Sequence, residues 1–174
     1  LLADYRSLSS RIQAVEMTRR MTGRYPGYTC GEHTLVNNIE DCERIVNAMH
    51  ACLLKVPWSG SGKGLNWCLH GFTKPVSNWC ERILREQGCL TAEPIYNKVE
   101  DFALEFYSDG CGGVRFAGYS MFSTNEHGAY TGNLLASDGQ IEEIIARYLP
   151  LEKLERIREA LRTELASVYG YTYT

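Results

Sequence analysis

The chain has 174 residues, of which 44% are hydrophobic and 22% charged, and its formal net charge is -3. This ordinary globular composition supplies enough apolar material for one core or two small lobes. No basic stretch stands out, which gives no support for nucleic-acid binding, and no apolar run approaches the ~20 residues that span a membrane.

The cysteine pattern indicates the redox environment. The seven cysteines are an odd number and include no Cys-x-x-Cys pair, which argues against a structural zinc site or a thioredoxin-like motif. No secretory signal is evident. We therefore expect reduced cysteines in a cytoplasmic protein.

The first half of the chain mixes helices with short strands. Apolar spacing predicts helices at residues 3–22, from 39 onward and at 74–87, with a loop at 23–38 and strands at 51–56 and 65–69. Pro75 lies in the first turn of the third helix and Gly88 closes it.

The second half opens with alternating, strand-like segments and ends in helices. Strands are predicted at 89–96, 99–108, 114–123 and 130–136, and helices at 138–148 and 151–168. The glycine-rich stretch 109–113 is typical of a hairpin turn. The aromatic and threonine alternation of residues 169–174 predicts the start of another strand. The hairpin favours an α+β fold over a doubly wound parallel sheet.

A lysine followed by a glycine and serine loop is the most informative motif. The stretch Lys55–Gly64 follows an apolar strand, where an unpartnered lysine is rarely buried. Three known loop templates fail. Gly64 stands where a P-loop needs Ser or Thr, a strand follows where the dinucleotide fingerprint needs a helix, and Ser59 replaces the first glycine of a hydrolase elbow.

Two interpretations of this loop remain. A flexible glycine flap could fold over phosphates and donate backbone N–H groups to them, with Lys55 as a fixed positive charge. Alternatively, the stretch is a mobile polar hairpin loop from which Lys55 reaches solvent. The sequence alone leaves both open.

A second candidate motif lies between two predicted strands. Glu93 stands at the end of an apolar strand and Pro94 follows it, with Glu100 and Asp101 just before the next strand. Carboxylates at such a crossover are suited to accept hydrogen bonds from sugar hydroxyls. The alternative is a solvated surface loop.

Together these residues resemble the ATP-grasp superfamily, in particular bacterial proteins of the carboxylate–amine ligase type. The resemblance rests on Lys55–Gly64, the Glu93-Pro94 junction and the strand Asp101-Phe102-Ala103, and it covers most of the chain from about residue 50. It implies an ATP-grasp fold of two α+β lobes with an antiparallel sheet. Residues 1–92 would form the N-terminal helices and the small lobe, and residues 93–174 part of the C-terminal lobe.

The resemblance also implies roles. Lys55 would contact the α and β phosphates of ATP, and Glu93 would receive the adenine amino group. Asp101 would bind the ribose, with Glu100 as the alternative. Pro94 and Ile95 would line the adenine slot, and the two lobes would grip ATP between them. The flexible flap would comprise Ser59, Gly60, Ser61, Gly62, Lys63 and Gly64. Arg11, on the first helix, is a weaker candidate for a phosphate contact. The four histidines have no metal-ligand spacing and are expected to be structural or exposed.

The chain departs from the family pattern at the metal site. ATP-grasp enzymes bind Mg²⁺ through an acid on one late strand and a Glu-x-Asn type pair on the next, but every acid after Ala136 lies in a predicted helix or its first turn. We therefore expect an incomplete C-terminal lobe, and Mg²⁺ only in the intact protein.

The expected function follows from this pattern. We expect the ATP-binding portion of a ligase that joins an unknown carboxylate to an amine or thiol through an acyl-phosphate, inactive by itself. The alternative is a non-catalytic α+β interaction module. The sequence does not give the oligomeric state.

Overall fold

The computed structural model describes residues 2–27, 29, 31–60 and 62–172, and these form an α+β fold with two antiparallel sheets. The chain divides into two compact units. The first unit comprises residues 1–20, 30–97 and 126–129, and the second comprises 21–29, 98–125 and 130–174. The helices are α1 Leu2–Leu8, α2 Arg11–Arg24, α3 Ile39–Met49, α4 Lys74–Gln87, α5 Asp138–Ile145 and α6 Leu151–Tyr169. The strands are β1 Thr34–Val36, β2 Cys52–Lys55, β3 Leu65–Cys68, β4 Leu90–Pro94, β5 Asp101–Ser108, β6 Val114–Thr124 and β7 Tyr130–Asn133.

The first unit is built on a four-stranded sheet in the order β1-β4-β2-β3, with α3 and α4 packed on it. The side chain of Asn38 caps α3 by accepting from the amide of Asp41 at 2.8 Å. Gly88 ends α4 in a left-handed conformation with φ of 77°. The core between helices and sheet contains large aliphatic residues and four cysteines, among them Val36, Val46, Leu54, Leu90, Cys42, Cys52, Cys68 and Cys80.

The second unit is a three-stranded meander, β5-β6-β7, with α5 and α6 packed on it. Ser137 and Gln140 form a capping box at the start of α5. Met121, Ile141 and Leu154 are buried in the core of this unit. Glu164 is also buried, with a 2% exposed side chain, and Arg24 donates to its carboxylate at 2.5 Å.

Three sequence predictions about local structure were wrong. The predicted helix at 3–22 is two helices, because Ser10 interrupts it and accepts from the amide of Ile12 with its side chain. The predicted loop at 23–38 contains β1, a three-residue strand whose pairing with β4 supplies its stability. The third was the strand expected from residue 169.

Helix α6 instead continues to Tyr169, and residues 170–172 form a turn. The hydroxyl of Ser108 donates to the Tyr169 carbonyl at 2.8 Å, and the Gly112 amide donates to the Gly170 carbonyl at 2.8 Å. These bonds fix the end of the helix against the β5–β6 turn. Residues 173 and 174 lie outside the described ranges.

The other element predictions agree with the structure to within a few residues. Helix α4 has Pro75 in its first turn and ends at Gly88 as predicted, and α3 begins at the predicted residue 39. None of the helices in the described ranges combines the length and the apolar character that crossing a bilayer requires.

Candidate functional site

Lys55 has a charged partner, which explains why an apolar strand ends in a lysine. In the sheet register Lys55 lies opposite Thr91, and Leu53 lies opposite Glu93, so Lys55 and Glu93 are diagonal neighbours on one face. The Lys55 ammonium forms an ion pair with Oε1 of Glu93. The two side chains are only 24% and 16% exposed. Lys55 and Glu93, which the sequence analysis singled out in separate motifs, therefore belong to one cluster.

His33 completes this cluster from the other side of Glu93. Thr34 pairs with Ala92, and extending that register by one residue places His33 opposite Glu93. Nε2 of His33 lies 3.2 Å from Oε2 of Glu93, and the histidine is 28% exposed. Both carboxylate oxygens of Glu93 therefore have a basic partner. The sequence prediction of an ordinary structural or exposed histidine missed this contact.

Arg11 holds the segment that leaves β2. Its Nη1 donates to the Val56 carbonyl at 2.8 Å and to the Ser59 hydroxyl at 2.7 Å, and its backbone amide donates to the Pro57 carbonyl at 3.0 Å. Burial lowers the pKa of Arg11 from its usual value, and the negative charge of Glu93 opposes that shift. Arg11 thus connects the first turn of α2 to the foot of the glycine loop.

The glycine loop is closed at its foot and contacts a distant segment of the same unit. The Val56 amide donates to the Gly64 carbonyl at 3.0 Å. Gly62 and Gly64 have φ of +75° and +68°, which L side chains rarely adopt. A Cβ on Gly62 would lie 2.6 Å from the Gly128 carbonyl oxygen and 2.6 Å from Cα of Ala129. Only glycine therefore fits at position 62. Ser61, a predicted flap residue, lies outside the described ranges.

The remaining predicted site residues are divided between the two units. Pro94 ends β4 opposite Cys52, and Ile95 follows it, both half-buried in the first unit. Asp101 belongs to the second unit, where its Oδ2 accepts from Lys98 at 2.5 Å and from the Thr124 hydroxyl at 3.2 Å. The predicted roles of Pro94 and Ile95 in adenine binding and of Asp101 in ribose binding stay predictions.

The described residues offer no metal centre. They contain no group of three or more His, Cys, Asp or Glu side chains arranged to hold a metal ion. Every acidic residue after Ala136 in those ranges lies in α5 or α6. None of the acids after Ala136 in the described ranges therefore stands on a strand, where the resemblance places the magnesium ligands.

Burial also affects the chemistry of the thiols. The described cysteines are free thiols, and Cys111 is the exposed one among them. Burial raises the pKa of the Cys89 thiol. Cys52 and Cys68 face each other across β2 and β3, and the pKa of Cys68 is raised by the thiol of Cys52 and by burial. Such protonated, enclosed thiols are poor nucleophiles.

Comparison with known proteins gives a result at the level of fold. No protein-family model and no curated protein sequence matches the chain. The structure of the biotin carboxylase domain dimer of Hydrogenobacter thermophilus 2-oxoglutarate carboxylase, in complex with MgADP, ADP and bicarbonate, is similar with a TM-score of 0.68 and 16% identity. The alignment covers 94% of this chain and 34% of that one.

A second similar structure is N5-carboxyaminoimidazole synthetase from Staphylococcus aureus complexed with ADP, with a TM-score of 0.60 and 12% identity. The alignment covers 93% of this chain and 38% of that one. Both neighbours are ATP-grasp enzymes. The chain therefore spans little more than a third of the length of these proteins, and its fold is the ATP-grasp fold that the sequence resemblance implied.

Proposed function

We propose that this chain binds the phosphates of ATP through Lys55 and the loop Ser59–Gly64. The observation that carries the proposal is the position of Lys55 at the foot of that loop, where Glu93 holds its ammonium. A lysine fixed in this way is a preformed positive charge, and phosphate oxygens form strong, charge-assisted hydrogen bonds with it.

The loop supplies the second part of the phosphate site. Glycines at positive φ allow successive backbone N–H groups to converge on an anion, and Gly62 and Gly64 have that conformation. Lys63 is exposed within the loop and adds a mobile positive charge. Arg11 donates a hydrogen bond to the hydroxyl of Ser59, the first residue of the loop. These features support binding of a polyphosphate at this end of the sheet.

Glu93, Pro94 and Ile95 are the proposed contacts for adenine. A carboxylate has about four lone-pair sites, so Glu93 can hold Lys55 and His33 and still accept from the adenine amino group. Pro94 and Ile95 add half-buried apolar surface next to it. For Asp101 we keep the proposed role of ribose acceptor.

The parent activity we propose is that of an ATP-dependent carboxylate–amine or thiol ligase of the cytoplasm. In such a reaction a carboxylate oxygen attacks the γ phosphorus of ATP, ADP leaves, and the amine or thiol then displaces phosphate from the acyl-phosphate. Charge neutralisation during phosphoryl transfer normally needs Mg²⁺, and the acids after Ala136 lie on α5 and α6, not on the late strands where the resemblance places the metal ligands. We therefore expect this chain to bind nucleotide weakly and to show no turnover.

The test is a calorimetric titration of ATP into three proteins: the 174-residue chain, Lys55→Met and Lys74→Met. Lys74 is an exposed lysine at the start of α4 and serves as a charge-matched control. Losing one hydrogen bond to a charged group costs about 1.5–3 kcal/mol, so Lys55→Met should weaken binding roughly 10- to 100-fold. Lys74→Met should bind as the unmodified chain does. A folded chain that binds no ATP would favour the alternative, a non-catalytic interaction module.

A further inference from the structure

We propose that His33 is a positioning residue for Lys55, acting through Glu93; this inference rests on the proposed function. The three side chains lie next to one another along one sheet: His33 directly precedes β1, Glu93 lies on β4 and Lys55 lies on β2, and these strands are neighbours in that order. Nε2 of His33 lies 3.2 Å from Oε2 of Glu93, and Oε1 of Glu93 pairs with the Lys55 ammonium.

Contacts to both carboxylate oxygens give the Glu93 side chain a defined orientation. A glutamate held by one oxygen can rotate about its terminal bond and carry its partner along. A glutamate held by both oxygens has a single orientation, which fixes the position of the lysine ammonium. Binding sites gain affinity when their charged groups are held in place before the ligand arrives.

The backbone that carries His33 is itself held in place. The amide of Glu32 donates to the hydroxyl of Tyr96 at 3.2 Å. Tyr96 follows Pro94 and Ile95, so the segment before β1 is tied to the continuation of β4. This bond restrains the backbone next to His33, which suits a positioning role.

The imidazole must act as a donor in this contact. The neutral tautomer with the proton on Nε2 and the imidazolium form both donate from Nε2. A glutamine side chain places an amide N–H at nearly the same distance from the backbone, whereas an asparagine amide falls short. His33→Gln should therefore retain the function and His33→Ala should lose it.

The experiment measures binding of ATP and of inorganic tripolyphosphate by calorimetry. The variants are His33→Ala and His33→Gln, with His70→Ala as the control because His70 is an exposed histidine of the same unit. From the usual net value of a hydrogen bond, His33→Ala should weaken both ligands by the same factor, about 3- to 10-fold. His33→Gln should remain within about twofold of the unmodified chain, and His70→Ala should be unchanged.

The two ligands separate a role at the phosphates from a role at adenine. Loss of ATP affinity with unchanged tripolyphosphate affinity would mean that His33 serves the adenine end, and it would overturn the inference. So would unchanged affinity for both ligands in His33→Ala, or no tripolyphosphate binding by the unmodified chain. If the unmodified chain fails to bind ATP, the proposed function is wrong, and this inference, which rests on it, is wrong as well. Should His33→Ala not fold, His33→Asn takes its place.

Discussion

Gly64 is a position at which the glycine loop should not tolerate a side chain without loss of stability. Its φ of +68° costs a non-glycine residue about 1–2 kcal/mol. A Cβ built there would overlap Cγ2 of Val56 and lie 2.9 Å from the Ser59 hydroxyl oxygen. Overpacking of this kind typically costs about 1–3 kcal/mol. Gly64→Ala should therefore lower the free energy of unfolding of the first unit by about 2–5 kcal/mol.

The chain offers a matched control and a local probe for this measurement. A Cβ on Gly60, in the same loop, would meet no heavy atom within 4 Å. Gly60→Ala should therefore change stability by less than about 0.5 kcal/mol. All three tryptophans lie within residues 30–97, so their fluorescence during urea unfolding reports on the first unit.

The difference in stability between Gly64→Ala and Gly60→Ala tests the conformation described for the loop. The difference must appear in the urea midpoint at an unchanged slope, because a changed slope would indicate an altered unfolded state. Equal stabilities of Gly64→Ala and Gly60→Ala would refute the backbone conformation described for the loop, and with it the argument that this loop is shaped by glycine.

Three further predictions concern residues of the second unit, namely Arg24, Asp109 and Cys111. Arg24→Met, which weakens the pairing of buried Glu164, should cost about 1–3 kcal/mol in calorimetric unfolding, whereas Arg19→Met breaks an exposed pair and should cost under about 1 kcal/mol. The pKa of Asp109 is lowered by the backbone N–H groups two and four residues further on. Its stabilising effect is therefore present at neutral pH and lost as pH falls below about 4, and Asp109→Asn should remove that part of the acid dependence in urea titrations. Cys111→Ser should remove one fast-reacting thiol from the folded chain in a dithionitrobenzoate assay, while the buried cysteines of the described ranges react only on unfolding.

The elements that the sequence predicted well carry their own local signals. Helix α4 has Pro75 in its first turn and Gly88 at its end, and α3 follows the capping residue Asn38. Such signals act within a few residues of the chain, so they can be found without knowing the fold. Strand β1 was missed because it depends on pairing with the distant strand β4. The break at Ser10 was missed because its local bond to the Ile12 amide is accompanied by a bond from the Arg11 amide to the distant Pro57 carbonyl.

In the candidate site, too, some residues have local sequence signals and others depend on distant contacts. Lys55 and Glu93 could be singled out because each is unusual where it stands, but only the sheet register shows that they form one pair. Arg11 and His33 have no distinctive local sequence. Their contacts depend on how α2 packs at the end of β2 and on how β1 pairs with β4, which periodicity does not give.

The most direct test of the central claim is amide hydrogen exchange of the 174-residue chain with and without ATP. If ATP binds as proposed, residues 55–64 should become protected, and Lys55→Met should remove most of that protection at the same ATP concentration. Protection confined to other segments, or none at an ATP concentration that calorimetry shows to be saturating, would contradict the assignment of Lys55 and the glycine loop as the phosphate site.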